Sequence, residues 1–136
     1  MMAYWLVKTE PDAFSWDMQV KRKIEPWTGV RNHTAKLNLM KMRLGDQAFF
    51  YHSNIGKENV GIVEVAREAY PDPTAEPGSP WVAVDMKAVR RLKKPISLSQ
   101  IKADPALSAM ALLKYSRLSV GPVTDSEWDY ILGLSG

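Results

Sequence analysis

Cysteine is absent from the 136-residue sequence, so disulfide bonds and thiolate metal sites are excluded. Histidine is scarce: only His33 and His52 occur, and neither has a spacing that indicates a metal site or a catalytic triad. Gly-rich phosphate loops of the P-loop and dinucleotide-binding types are also missing. We therefore expect no metal ion and no cofactor, and we interpret His52, which lies in an apolar run, as a core histidine.

Long apolar runs are missing as well. No stretch approaches the roughly 18 apolar residues that a membrane-spanning helix needs. The first residues, Met1–Lys8, lack the basic segment and the longer apolar run of a secretion signal. We expect a cytoplasmic protein with no membrane partner.

Positive charge is distributed unevenly along a chain whose formal net charge is +3. Basic residues form three clusters: Lys21, Arg22 and Lys23; Lys36, Lys41 and Arg43; and Arg90, Arg91, Lys93 and Lys94. Such clusters are often no more than solvated faces, but several of them near one pocket would form an electrostatic track for phosphate groups. We predict that the first and third clusters contact a nucleic-acid backbone.

The pattern of apolar residues predicts strands over 3–8, 48–52, 60–70 and 81–88, with a bend or bulge at Gly61 and an end at Pro95. A short extended piece is predicted over Tyr115–Val120. Helices are too few to cover both faces of a parallel sheet. We therefore predict one α+β domain over residues 1–136, with a strongly curved, mostly antiparallel sheet or small open β-barrel and flanking helices.

Capping residues mark the predicted helix starts. Ser15, Asn32, Ser97 and Thr124 each stand before a short periodic segment, and Asp104-Pro105 marks one further start. The last helix is predicted to end at Gly133.

The segment Trp27–Asn32 combines a large aromatic residue, a glycine, a cation and an amide just before a predicted helix that carries Leu37 and Met40 on one side. A helix start has unpaired N–H groups and a partial positive charge, so with Arg31 it could bind a phosphate or a polar base edge. Trp27 could then supply a stacking face. The alternative is purely structural, with Trp27 in the core, Gly29 in a turn and Asn32 as a cap.

Four motifs in this order resemble those of EVE-domain proteins: Tyr4–Pro11, Trp27–Asn32, Gly45-Asp46 with Phe50–Asn54, and Tyr115–Val120. The resemblance spans nearly the whole chain. It implies a PUA-like fold, related to YTH domains, and recognition of a modified base, with 5-methylcytosine and its oxidised forms as the leading candidates.

The resemblance to YTH domains implies that Trp27 is one wall of the base pocket. Side chains of Asn32, Ser53, Asn54 and Ser119 can pair with a base edge, Arg31 and Arg117 can hold a phosphate or a carbonyl oxygen, and Leu118 suits a methyl group. The expected ligand-binding residues are Trp27, Thr28, Val30, Arg31, Asn32, Ser53, Asn54, Arg117, Leu118 and Ser119. We expect a monomer that binds DNA or RNA and has no catalytic residue.

Two other functions remain open. The same pocket would serve a sensor of a small molecule or nucleotide. Lys8-Thr9-Glu10 resembles the Lys, Thr and Glu that enzymes of the related ASCH family use as amidohydrolases. Neighbours in a strand point to opposite faces, however, so we expect that these three side chains do not converge.

Overall fold

A mixed sheet of six strands forms the centre of the protein, in a computed structural model that describes residues 3–136. The strands are β1 (Tyr4–Thr9), β2 (Ile24–Trp27), β3 (Gln47–His52), β4 (Glu58–Pro71), β5 (Val82–Ser97) and β6 (Val120–Val123). Their order across the sheet is β2-β5-β4-β3-β1-β6, and the sheet is open. Only β1 and β3 are parallel, while the other neighbours are antiparallel. The predicted α+β, mostly antiparallel architecture is confirmed.

Five helices and a 3-10 helix flank the sheet. The helices are α1 (Trp16–Arg22), α2 (His33–Lys41), α3 (Leu98–Ala103), α4 (Ala111–Lys114) and α5 (Asp125–Ser135), and the 3-10 helix is Pro105–Leu107. Every predicted cap is confirmed, because the side chains of Ser15, Asn32, Ser97, Asp104 and Thr124 accept hydrogen bonds from backbone N–H groups of the first turns. None of the helices in the described part of the chain has the length and apolarity that crossing a bilayer requires.

The sheet separates two apolar cores, and β3 contributes to both. Phe50 packs in one core with Trp16 and Trp27, whereas Phe49 and Tyr51 pack in the other. Because successive side chains of a strand point to opposite faces, a strand that is apolar at every position must be buried on both sides. The sequence-based prediction of a central β3 is therefore confirmed.

Gly61 lies in β4 opposite Phe50, and a Cβ atom at this position would come within 2.5 Å of the Trp16 ring. The absence of a side chain lets Trp16 lie directly on the sheet, where it is 2% exposed. The ladder between β4 and β5 shifts register between Asn59 and Gly61, which confirms the predicted irregularity.

Two strands differ from the prediction, and both contain a proline, a residue that usually ends or interrupts a strand. Strand β2 contains Pro26 and was not predicted, but it lies at the sheet edge, where proline is tolerated. Strand β5 continues past Pro95 to Ser97. Its pairing with β4 jumps from Arg91 to Ile96, so Pro95 lies in an irregular stretch that requires no ladder hydrogen bond from it.

Two smaller predictions are wrong. The strand near residue 120 is Val120–Val123, and residues 115–119 form a turn and a bend instead of an extended piece. Helix α5 runs through Gly133 to Ser135, because its last turn is stabilised by packing and glycine permits helical geometry. The helix predicted after Asn32 is confirmed as α2, whose buried side is Ala35, Asn38 and Leu39, whereas Leu37 and Met40 are exposed.

Two glycine substitutions should have opposite effects on stability. Gly61→Ala should lower the free energy of unfolding by about 1–3 kcal/mol, because the new methyl group collides with the buried Trp16 ring. Gly133→Ala should raise it by about 0.5–1 kcal/mol, since the site is helical and has no heavy atom within 4 Å of the new Cβ. Urea denaturation of both variants measures these changes, and a neutral Gly61→Ala would contradict the close packing of Trp16.

Candidate functional site

Three adjoining cavities lie beyond the carboxyl end of β1. Cavity A, of about 350 Å³, lies between α1 and the segment 27–31. Cavity B, of about 640 Å³, lies between the 53–54 turn, α3 and α4. Cavity C, of about 710 Å³, lies between α2 and the 115–118 turn. Lys8, Thr9 and Ser119 line both A and B, and Ser116 and Arg117 line both B and C, so the three form one continuous surface.

The ten residues predicted to bind the ligand are divided among these cavities. Trp27, Thr28, Val30 and Arg31 line cavity A; Ser53 and Asn54 line cavity B; Asn32 and Leu118 line cavity C; Ser119 lines A and B, and Arg117 lines B and C. The sequence thus identified residues of one region, but the structure separates Leu118 and Asn32 from Trp27.

Trp27 is mainly a core residue. Its side chain is 7% exposed, and its ring packs edge-on against Phe14 and Phe50 at centroid distances of 6.2 and 5.7 Å. Trp27 lines cavity A but is almost fully buried, so the open stacking face expected from the sequence is not free in this conformation. Truncating such a buried tryptophan costs about 3–5 kcal/mol of stability, which makes Trp27→Ala an unsuitable test of binding.

A buried carboxylate, Asp72, fixes the segment 27–31 in place. Its Oδ2 atom accepts hydrogen bonds from the Gly29 backbone N–H at 2.9 Å and from Arg31 Nη1 at 3.0 Å, and its Oδ1 atom accepts two from Thr74 at 2.7 Å. Burial alone would raise the pKa of Asp72, but these hydrogen bonds outweigh it and lower the pKa to about 2. Arg31 is therefore held in an ion pair with Asp72, although its side chain is partly exposed and borders cavity A.

Two predicted amide side chains have structural tasks. The Asn32 Oδ1 atom accepts a hydrogen bond from the Ala35 backbone N–H at 2.9 Å and so caps α2. Asn54 lies in the turn after β3 with a φ of 68°, a left-handed conformation that asparagine tolerates better than most residues. Asn54 is exposed, so its side chain remains available to a ligand.

Lys8 connects the cavities, although the sequence pointed to it only as a member of an enzyme-like trio. Its Nζ atom donates a 2.8 Å hydrogen bond to the Ser116 carbonyl and lies 5.9 Å from the Tyr51 ring centroid. Partial burial lowers the pKa of Lys8. Lys8, Thr9 and Glu10 all line cavity B, but Lys8 Nζ and the Thr9 hydroxyl donate to different backbone carbonyls.

Cavity B has a strongly positive lining that the sequence clusters did not reveal. Its cations are Lys8, Lys57, Lys102 and Arg117, and its one carboxylate is Glu10. Lys57 and Lys102 are isolated in the sequence, so only the fold shows that they converge.

The basic clusters predicted to contact a nucleic-acid backbone lie mostly elsewhere. Arg22 lines cavity A, where it pairs with Glu25 at 3.0 Å. Lys21 is exposed on α1, and Lys93 and Lys94 lie on β5 near the end of α5. Lys23, Arg90 and Arg91 line a separate cavity of about 580 Å³, and Arg91 pairs there with Asp17. Of these seven residues, only Arg22 lines one of the three cavities.

His52 has a structural role. Its Nε2 atom accepts a 3.1 Å hydrogen bond from the Trp16 backbone N–H at the start of α1. Burial is the largest influence on the pKa of His52 and lowers it, which favours the neutral ring that such an acceptor requires. Within residues 3–136, no three or more metal-ligating side chains come together.

The Asp72 clamp predicts a pH-dependent contribution to stability. A pKa lowered from 3.8 to about 2 corresponds to roughly 2 kcal/mol at neutral pH, so Asp72→Asn should be destabilised by that order. The contribution of Asp72 is complete above the pKa that its carboxyl has in the unfolded state. It disappears as the pH falls through the pKa of the folded state, so about half should be lost at pH 3. Urea denaturation at pH 6, 4 and 3 measures it.

The exposed Asp129→Asn on α5 is the matched control for loss of one carboxylate. If the stability gap between wild type and Asp72→Asn stays constant over this range, Asp72 is not a charged clamp.

Known proteins resemble this chain over nearly its whole length. The EVE domain family model matches residues 3–134. Thymocyte nuclear protein 1 of Gallus gallus is 38% identical over 96% of this chain and 68% of that protein. An NMR structure of a Rhodopseudomonas palustris protein is 58% identical, with a TM-score of 0.94 and coverage of 99% of this chain and 94% of that one.

A crystal structure shows human THYN1 protein in complex with DNA that contains 5-methylcytosine. It is 32% identical to this chain, with a TM-score of 0.90 and coverage of 98% of this chain and 97% of that one. An ASCH protein of Zymomonas mobilis, 11% identical with a TM-score of 0.62 over 97% of this chain and 95% of that one, shares the fold alone. These similarities confirm the PUA-like fold, and the chain belongs to the EVE domain family.

Proposed function

We propose that this protein is a non-enzymatic reader of a modified base, which binds DNA that contains 5-methylcytosine at cavities A and B. The observation that carries the proposal is the juxtaposition of a cation-lined cavity and a smaller, partly aromatic one, joined at Lys8, Thr9 and Ser119. The human relative that was crystallised with 5-methylcytosine DNA supports the choice of ligand.

Cavity B binds the phosphates. Four cations face one carboxylate there, and three of them, Lys57, Lys102 and Arg117, are exposed. A phosphate contact by such a cation releases condensed counterions, and this supplies most sequence-independent affinity. The charge of cavity B therefore holds the backbone beside cavity A.

Cavity A binds the base. Its volume of about 350 Å³ is in the range of pockets for small ligands, roughly 300–1,000 Å³. Phe14, Met18 and Val30 give it apolar surface, and the Ser119 hydroxyl and Lys8 offer hydrogen bonds at the mouth. A base enters such a pocket only after it leaves the helical stack, at a cost of a few kcal/mol.

Selectivity for the modification requires more than an apolar slot. One buried methyl group contributes about 0.8 kcal/mol, which is less than a factor of ten in affinity. A hydroxymethyl group that pairs with a buried polar atom gains more, because the unmodified base leaves that atom unpaired. For this reason we propose oxidised forms of 5-methylcytosine as further ligands. Each binding measurement also uses RNA that carries the same bases as a competitor.

Removing the cations of cavity B should reduce the salt dependence of DNA binding. For Lys57→Gln with Lys102→Gln, the slope of log K against log salt should fall by about 2, at about 0.9 per lost phosphate contact. Lys93→Gln with Lys94→Gln removes the same charge from β5 and is the matched control. Fluorescence anisotropy at several salt concentrations gives both slopes. A larger decrease in the β5 variant would place the backbone track on β5, as the sequence clusters suggested, and would refute a phosphate site in cavity B.

Discrimination between modified and plain cytosine should depend on the cavity mouth. Ser119→Ala should reduce the preference for modified DNA, measured as the dissociation constant of the plain duplex divided by that of the matched modified duplex. Removing the Ser119 hydroxyl leaves a polar group of the base without a partner, at a cost of about 1–3 kcal/mol. Asn54 lines cavity B and not cavity A, so Asn54→Gly, which keeps the left-handed backbone that alanine would strain, should leave the ratio unchanged and is the matched control. Both variants should retain the salt slope of wild type. If Ser119→Ala leaves the ratio unchanged, discrimination lies at other residues.

An amidohydrolase of the ASCH type is the second candidate, since Lys8, Thr9 and Glu10 line one cavity and the pKa of Lys8 is lowered. The hydrogen bonds of these groups oppose it, because Lys8 is held by the Ser116 carbonyl and the Thr9 hydroxyl donates to the Phe14 carbonyl at 3.0 Å. Incubation with acylated nucleosides distinguishes the two functions: turnover that is lost in Lys8→Met would establish the enzyme. Binding of a free nucleoside or nucleotide, with a dissociation constant that does not change with salt concentration, would instead indicate a sensor of small molecules.

A further inference from the structure

The turn Tyr115–Leu118 forms a ridge between two cavities. Ser116 and Arg117 line both cavity B and cavity C, so the backbone of the turn separates them. Among the three cavities Tyr115 lines only cavity C, and it is 61% exposed. The ridge thus presents an aromatic ring to solvent beside the basic lining of cavity B.

The ridge is fixed to the rest of the protein. The Tyr115 N–H donates to the Ala111 carbonyl at 2.8 Å, which ends α4, and the Leu118 N–H donates to the Tyr115 carbonyl at 2.9 Å. The Ser116 carbonyl accepts the hydrogen bond from Lys8 Nζ, which ties the ridge to β1. The backbone that carries Tyr115 is thus fixed before any ligand arrives, which lowers the entropic cost of using its side chain.

The chain continues directly from the ridge to cavity A. Tyr115 is four residues from Ser119, which lines that mouth, so their Cα atoms are at most about 14 Å apart. Extruding a base leaves a gap in the DNA stack and an unpaired partner base. Proteins that unstack DNA often insert a bulky side chain at the step that opens.

We propose that Tyr115 is a wedge that occupies the gap left in the duplex when the modified base enters cavity A, with Arg117 beside it on the phosphate. The inference rests on the proposed function, because it requires that a base be extruded from a duplex. It assigns Tyr115 a role in stabilising the extruded state and none in recognising the modification.

The wedge predicts that the contribution of Tyr115 depends on a duplex. With 5-methylcytosine paired to guanine in a duplex, Tyr115→Ala should bind about tenfold more weakly than wild type, since stacking on an aromatic side chain contributes on this scale. With the single-stranded oligonucleotide of the same sequence, no gap opens in a duplex and the loss should be less than about twofold. Tyr115→Phe should bind like wild type to both forms, because the ring and not the hydroxyl fills the gap. Anisotropy titrations with the duplex and the single strand provide the measurement.

Tyr130→Ala is the matched control, because Tyr130 is a 40% exposed tyrosine on α5 that lines none of the three cavities. Thermal melting confirms that each variant is folded. An equal loss on the duplex and the single strand, or no loss on either, would reject the wedge while leaving the proposed function intact. Failure of the wild-type protein to bind the duplex or the single strand would reject the proposed function, and the wedge with it.

Discussion

The candidate site depends on the position of β1 in the sheet. This strand pairs in parallel with β3 on one side and antiparallel with β6 on the other. A parallel pair needs a long crossover, which here comprises α1, β2 and α2, and these elements supply the walls of cavity A and one wall of cavity C. Pairing with β6 brings in the turn that precedes it. Lys8 consequently meets the Ser116 carbonyl 108 residues further along the chain, and the three cavities open around that contact.

Several polar side chains of this region already have partners in the protein, and these side chains form the scaffold, in contrast to the groups that are free to bind. Asp72 holds Gly29 and Arg31, Asn32 caps α2, and Lys8 is bound to a carbonyl. Breaking any of these to bind a ligand would cost the original interaction. The exposed side chains on the rim, such as Arg117 and Asn54, carry no such cost. A rigid frame with free groups on its rim is the arrangement expected of a binding site that orders little on association.

The sequence allowed the prediction of local features but not of convergence. Caps at Asn32 and Thr124 and the buried β3 follow from nearest-neighbour chemistry and strand periodicity, and all were correct. The strands that contain Pro26 and Pro95 were not fully predicted. Proline lacks a backbone N–H, so its cost in a strand depends on whether an N–H at that position would have a hydrogen-bond partner, and only the sheet order decides that. Lys57 and Lys102 were missed because they stand alone in the sequence and are brought together by tertiary structure. Trp27 lines cavity A, yet its buried ring shows that an aromatic residue in a motif is not thereby an exposed stacking surface.

The division between cavities A and B also separates affinity from selectivity. Phosphate contacts in cavity B act on any nucleic acid, and their strength falls steeply with salt. The modification contributes about 0.8 kcal/mol through a methyl group, or somewhat more through a paired polar atom, and these short-range terms are insensitive to salt. Raising the salt concentration should therefore weaken binding to modified and plain DNA in the same proportion and leave their ratio unchanged. A reader built in this way gains useful contrast only where its overall affinity is modest, because plain DNA, present in large excess, otherwise occupies every molecule. The few cations of cavity B, as opposed to an extended basic surface, satisfy that requirement.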